Sequence, residues 1–170
     1  MLGRPEANEA AAHFHGYINR VTSDDVVSVL ENQLEETVSF LGGISEEQSL
    51  QRYESGKWSM RELLSHVNDS ERIFLYRALW FARGFPNPLP GYDQDIGVAG
   101  AGADAISWNA HVEEFRAIRL ATVVFFRNLS EDAWLRSGVA NDSPATVRAI
   151  AYILAGHVDH HTEILKQRYL

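Results

Sequence analysis

Four stretches of this 170-residue chain set apolar side chains three and four positions apart, and none alternates as a half-buried strand would. The first, "TSDDVVSVLENQLEETVSFLGG", carries Val26, Val29, Leu30, Leu34, Val38 and Leu41 at helical spacing. Thr22 or Ser23 can cap it, Asp24 and Asp25 suit the positive end of its dipole, and Gly42-Gly43 closes it. The second, "KWSMRELLSHVNDSERIFLYRALWFARG", opens on Ser59-Met60-Arg61-Glu62, where serine and glutamate can satisfy each other's free amides. Leu63, Val67, Phe74, Ala78 and Phe81 form its stripe, and Gly84 with Pro86 stops it. The third, "SWNAHVEEFRAIRLATVVFFRNL", offers Val112, Phe115, Ile118, Leu120, Val123, Phe126 and Leu129. After it, "SEDAWLRSGVANDSP" reads as a short helical turn plus a loop. Ser143-Pro144 then reads as an N-cap followed by proline at the first helical position, opening a fourth helix that runs almost to Leu170.

Helices of this length and short separations predict an all-α fold, an antiparallel four-helix bundle formed by one domain over residues 1–170, with 1–21 as an N-terminal extension. The expected exception to short connections is 84–105, "GFPNPLPGYDQDIGVAGAGADA", between the second and third helices. A connection so long in so small a domain serves as a cover or a crossover.

Composition narrows the function. Hydrophobic residues are 45% and charged residues 22%, which fits a packed globular chain. Fifteen Lys and Arg against twenty-three Asp and Glu, a net charge of −8, cannot supply the basic footprint of a nucleic-acid binder. With no cysteine there is no disulfide, thiolate ligand or protein thiol nucleophile, so any thiol chemistry needs a small-molecule thiol. "MLGRPEANEAAAHFHGY" lacks the apolar core of a signal peptide, and no apolar run approaches the roughly 20 residues of a membrane span. A cytoplasmic protein without membrane contact is expected.

Three of the seven histidines fall within "GHVDHH". At about 100° per residue, His157 and His161 lie one turn apart on a face shared with Ile150, Ile153, Leu154 and Ile164, while Arg148, Asp159, Thr162 and Lys166 project away. That pair therefore points into the bundle at a spacing that lets two imidazoles bind one ion. His160 sits at the margin, a bystander or a proton shuttle. Two imidazoles rarely hold a divalent ion alone, and His66, on the flank of the second helix's stripe, is the best third ligand. Spacing does not decide the matter, because a buried histidine can equally hydrogen-bond a backbone carbonyl. His13, His15 and His111 have no comparable partners and read as structural or solvated. The zinc-protease motif H-E-x-x-H is excluded by Val158, and the di-iron Glu-x-x-His pattern is absent, since no histidine has glutamate three residues before it.

Taken together, "GKWSMRELLSHVNDSERIFLYRALWFARG", "PLPGYDQD" and "VRAIAYILAGHVDHHTEILKQRYL" resemble, in order and spacing, the DinB-like superfamily of metal-binding four-helix bundles, from about Tyr17 to the C-terminus. The resemblance implies that His66, His157 and His161 hold a divalent metal, zinc or nickel. It also implies a low-molecular-weight thiol as co-substrate, since relatives include transferases using bacillithiol, mycothiol or glutathione and a thiol-dependent maleylpyruvate isomerase. Homodimers are common among relatives. The function expected is metal-dependent thiol transfer to, or isomerisation of, a small electrophile. The alternatives are metal-dependent hydrolysis and a non-catalytic stress-response protein with a structural metal. The 84–105 connection with Glu62, Ser70 and Arg77 can shape a pocket, or can equally be a packed loop and solvated polar residues; no catalytic side chain is assigned.

Overall fold

The computed structural model describes residues 3–170; Met1 and Leu2, the start of the expected N-terminal extension, lie outside the described residues. Its elements are α1 (His15–Ile18), α2 (Val26–Gly42), α3 (Met60–Ala82), α4 (Gln94–Ala101), α5 (Trp108–Arg127), α6 (Glu131–Leu135), β1 (Ser137–Ala140), β2 (Ser143–Thr146) and α7 (Val147–Ile164). A π turn over Leu165–Tyr169 follows α7.

Helices α2, α3, α5 and α7 form a four-helix bundle in which α2 and α3 each pack against both α5 and α7. Side-chain bonds fix the directions. Trp108 at the start of α5 donates its indole N–H to the Leu41 carbonyl at the end of α2 (2.9 Å), while Arg127 at the other end of α5 pairs with Glu31, so α2 and α5 are antiparallel. Arg61 donates to the Ile106 carbonyl and Arg119 to Glu71, so α3 and α5 run the same way. Two helices therefore point up and two down, in the chain order up, down, down, up. The connection after α3 crosses the length of the bundle to make this possible. It is not all loop, for Asp93 caps α4 there through the amides of Asp95 and Ile96, and α4 lies against α3.

Local chemistry sets most helix ends. The Ser59–Glu62 capping box opens α3 as its sequence predicts. The cap of α2 is Asp25, not Thr22 or Ser23; its carboxylate accepts from Ser28 N–H while Ser23 supports Asp25 itself. The expected fourth-helix start is also displaced. Ser143-Pro144 belongs to β2, and Thr146 is the cap of α7, accepting from Ala149 N–H. β1 and β2 form a hairpin whose loop residues Asn141 and Asp142 have φ of 52° and 54°, the left-handed pair of a tight hairpin turn. The crossover is stitched to this hairpin at Leu89, which donates to the Val139 carbonyl and accepts from Asn141 N–H.

Two apolar clusters fill the bundle. One, towards the hairpin end, gathers Leu30, Phe81, Phe126 and Ile150; the other, towards the opposite end, gathers Leu34, Leu63, Phe115 and Val158. Leu120, expected in the apolar stripe, is 49% exposed, and its neighbour Arg119 is fully buried instead. Between the clusters lies a polar layer of Gln33, Glu71, Arg119 and His157.

Candidate metal centre

His157 and His161 come from α7, and His66 reaches them from the neighbouring α3, which α7 meets antiparallel. His157 Nε2 lies 3.2 Å from His66 Nε2 and 3.1 Å from His161 Nε2. No other His, Asp or Glu joins this cluster among the described residues. His66 and His157 are buried and His161 is partly so.

Those distances test whether a metal fits. Two nitrogens held about 2.0–2.1 Å from one ion at tetrahedral angles stand about 3.4 Å apart. Hydrogen bonding cannot account for the cluster, because an imidazole nitrogen carries either a hydrogen or a lone pair. Of three such nitrogens, all within 4.8 Å of one another, at least two are alike, so at least one pair in the cluster is left lone pair to lone pair or hydrogen to hydrogen. A cation at the point of convergence satisfies all three. The protonation states agree. Burial lowers His66 to about 4 and His161 to about 3, and pushes His157 well below the ordinary imidazole value, with the neighbouring histidines adding to the shift in the latter two. All three are neutral near pH 7, the ligating form. Ser70 Oγ lies 3.4 Å from His66 Nδ1 and can accept the proton of that nitrogen in the tautomer whose lone pair is on Nε2.

The surroundings leave the cluster open. A cavity of about 350 Å³ reaches His66 and His157, bounded by Tyr17, Ser70, Arg77, Tyr92 and Asn141. A second, of about 340 Å³, reaches His161 past Trp58 and Tyr169, and the two share no lining residue. The Tyr17 and Trp58 rings pack 5.3 Å from His157 and 5.1 Å from His66, fixing both imidazole planes. The Tyr169 hydroxyl donates to the Trp58 carbonyl (2.7 Å), tying the C-terminal turn over this side.

Other residues singled out in the sequence separate cleanly. Ser70 and Arg77 do line the cavity beside His66, whereas Glu62 is engaged in the α3 cap and with Arg52. His111 is structural, its Nε2 donating to the Ala103 carbonyl, and His15 bonds the carbonyls of Ala7 and Ala10. His160 faces the Arg20 guanidinium at 3.3 Å, outside the cluster. Tyr17 and Asn141 carry no sequence signal for a site, since the fold brings them from the N-terminal segment and the hairpin turn.

A four-helix bundle with three histidines converging at its polar layer defines a class by fold and by site. The sequence places the chain within it: the DinB superfamily profile matches residues 30–165, and the protein belongs to that superfamily. Among solved structures it is similar to "YfiT from Bacillus subtilis … a probable metal-dependent hydrolase with an unusual four-helix bundle topology", with a TM-score of 0.72, 17% identity, and 84% of this chain and 85% of that one covered. It is also similar to the mycothiol-dependent maleylpyruvate isomerase, with a TM-score of 0.68, 14% identity and 88% of this chain covered. This chain spans 61% of the isomerase's length. At such identities the likeness is one of fold. No curated protein matches the sequence.

Proposed function

We propose that this protein is a divalent-metal-dependent enzyme acting on a small electrophile, with a low-molecular-weight thiol as co-substrate, in a transfer or isomerisation reaction. The observation that carries this reading is the convergence of three neutral Nε2 atoms, joined by no fourth His, Asp or Glu among the described residues and opening onto cavities. Structural sites are closed by four protein ligands, whereas catalytic ones keep a position free, which counts against a purely structural role. A divalent ion, zinc or nickel, would supply Lewis acidity there, holding a thiol as thiolate or polarising a water. His66, His157 and His161 would bind it, Ser70 would orient His66, and Tyr17 with Trp58 would keep solvent from the imidazole faces. Two separate cavities suit two reactants, a thiol and its acceptor. Hydrolysis is the second reading, favoured by the likeness to the Bacillus subtilis protein described as "a probable metal-dependent hydrolase", and needs only one cavity for substrate.

The test begins with metal analysis of protein purified without an affinity tag, beside its His66→Ala variant. Near-stoichiometric metal in the first and little in the second is expected; negligible content in both ends the ligand assignment. Turnover of epoxide or chlorinated test electrophiles should then require added thiol and disappear in His161→Ala. Equal turnover without thiol selects hydrolysis instead.

A further inference from the structure

Three arginines are buried among the described residues, and two have carboxylate partners: Arg61 with Glu46 and Arg119 with Glu71. Arg77, only 9% exposed, has none. Its guanidinium makes one long hydrogen bond, to the Pro90 carbonyl at 3.5 Å, and lies 5.3 Å over the Phe74 ring. Burial lowers its pKa from the ordinary guanidinium value, with no neighbouring charge compensating. A desolvated cation without a counter-ion costs stability, so a fold that keeps one beside a cavity gives that charge something to meet.

The cavity is the one that reaches the histidine cluster. His66, Ser70 and Arg77 occupy positions i, i+4 and i+11 of α3, which share a helix face. Their Cα atoms span about 16 Å along the axis, at 1.5 Å per residue. Helical side chains lean towards the N-terminus, which brings the guanidinium back along the cavity towards His66. A ligand lying there meets the metal position at one end and a buried guanidinium at the other.

We infer that Arg77 is the recognition residue for a carboxylate on the substrate or thiol, so that the preferred ligand is a small monoanion with its metal-binding group several bonds from its carboxylate. This rests on the reading of the histidines as metal ligands. The planar guanidinium matches a carboxylate with two parallel hydrogen bonds. One buried cation balances one charge, whereas a phosphate dianion would carry a surplus into the same desolvated space. The lysine equivalent lacks the fork and is a poor replacement.

Two matched thiols test it, 6-mercaptohexanoate and 6-mercaptohexanol, which differ only in the terminal carboxylate. On cobalt-loaded protein, the sulfur-to-cobalt absorption band reports binding. The carboxylate thiol should bind at least about tenfold more tightly, a difference of about 1.4 kcal/mol. That preference should vanish in Arg77→Met and largely fall away in Arg77→Lys, with cobalt content unchanged. A second arm needs no metal: hexanoate should raise the melting temperature of metal-free protein, hexanol should not, and Arg77→Met should abolish the difference. Arg77→Met should itself melt no lower than the parent, because it removes an uncompensated charge; a marked loss of stability would assign Arg77 a packing role instead. Cobalt binding without carboxylate preference overturns the inference and leaves the metal centre standing. Carboxylate preference in metal-free protein that binds no cobalt does the reverse.

Discussion

Arg119 sits at the centre of the bundle with no exposed surface, and its guanidinium donates to both oxygens of Glu71, itself 2% exposed, at 2.7 and 2.8 Å. It also donates to Gln33 Oε1, and the Gln33 amide donates onward to the Ala155 carbonyl and to Asp159. One network thus joins all four bundle helices. A bidentate pair with its remaining donors satisfied can offset its desolvation; half of one cannot. Arg119→Met or Glu71→Leu alone is expected to cost about 3–5 kcal/mol, from the uncompensated charge left behind. The double change Arg119→Met/Glu71→Leu should recover most of that loss. Denaturant titration of the four proteins in a double-mutant cycle checks this, and additive losses would show that the two residues act separately. The histidines were legible in the sequence because two of them repeat at one-turn spacing on an apolar face. Arg119 was not, since an arginine between Ile118 and Leu120 in a charged stretch reads as surface, and its partner lies on another helix 48 positions away.

The same contrast holds for elements. The Ser59–Glu62 box needs only local contacts and could be read directly, whereas the hairpin is decided by pairing that sequence proximity does not show. Ser143-Pro144 looks like a helix start, yet Leu89 from the crossover and Arg136 hold this segment as strand: Leu89 bonds β1, and Val147 N–H donates to the Arg136 carbonyl. Close approach between α1 and α7 offers an element-scale test. A Cβ on Gly156 would stand 2.0 Å from the Tyr17 carbonyl oxygen and 2.6 Å from its carbon. Alanine is the better helix former by about 0.8–1 kcal/mol, which on propensity alone makes Gly156→Ala stabilising. The collision is with backbone, which cannot rotate aside, and overpacking of this kind costs about 1–3 kcal/mol. The expected result is net destabilisation, with faster proteolysis in the N-terminal segment that carries Tyr17 and walls the cavity. A raised melting temperature would mean that α1 gives way freely.

At the scale of the molecule, the polar layer between two apolar clusters is where the site lies, and its position couples ligand binding to folding. The direction of the third long helix, which lets α3 and α5 run parallel, was hidden in sequence because a 22-residue crossover permits either direction. Once the helices are in place, His66 and His161 are held neutral at the cost of burying them. Their folded-state values, about 4 and about 3, lie below the ordinary 6.5. Between 6.5 and those values the unfolded chain takes up protons that the folded chain refuses, so metal-free protein loses stability as the pH falls through that window and gains nothing above it. The metal-bound form responds differently. The folded ligands remain neutral down to about pH 5, and zinc at a hundredfold excess over its dissociation constant contributes about 2.7 kcal/mol. For a chain of this length that corresponds to a rise of about 5–10 °C in melting temperature. The rise should persist from pH 7.5 to 5 and collapse below about 4, where solvated histidines would already have released the ion near 6.5. Melting curves with zinc and with chelator across this range measure it, and the His66→Ala/His161→Ala variant should show no zinc-dependent rise and a flatter acid dependence without metal. A rise already lost at pH 6 would mean that the imidazoles meet water freely, and the neutral, pre-arranged cluster would not describe the folded protein.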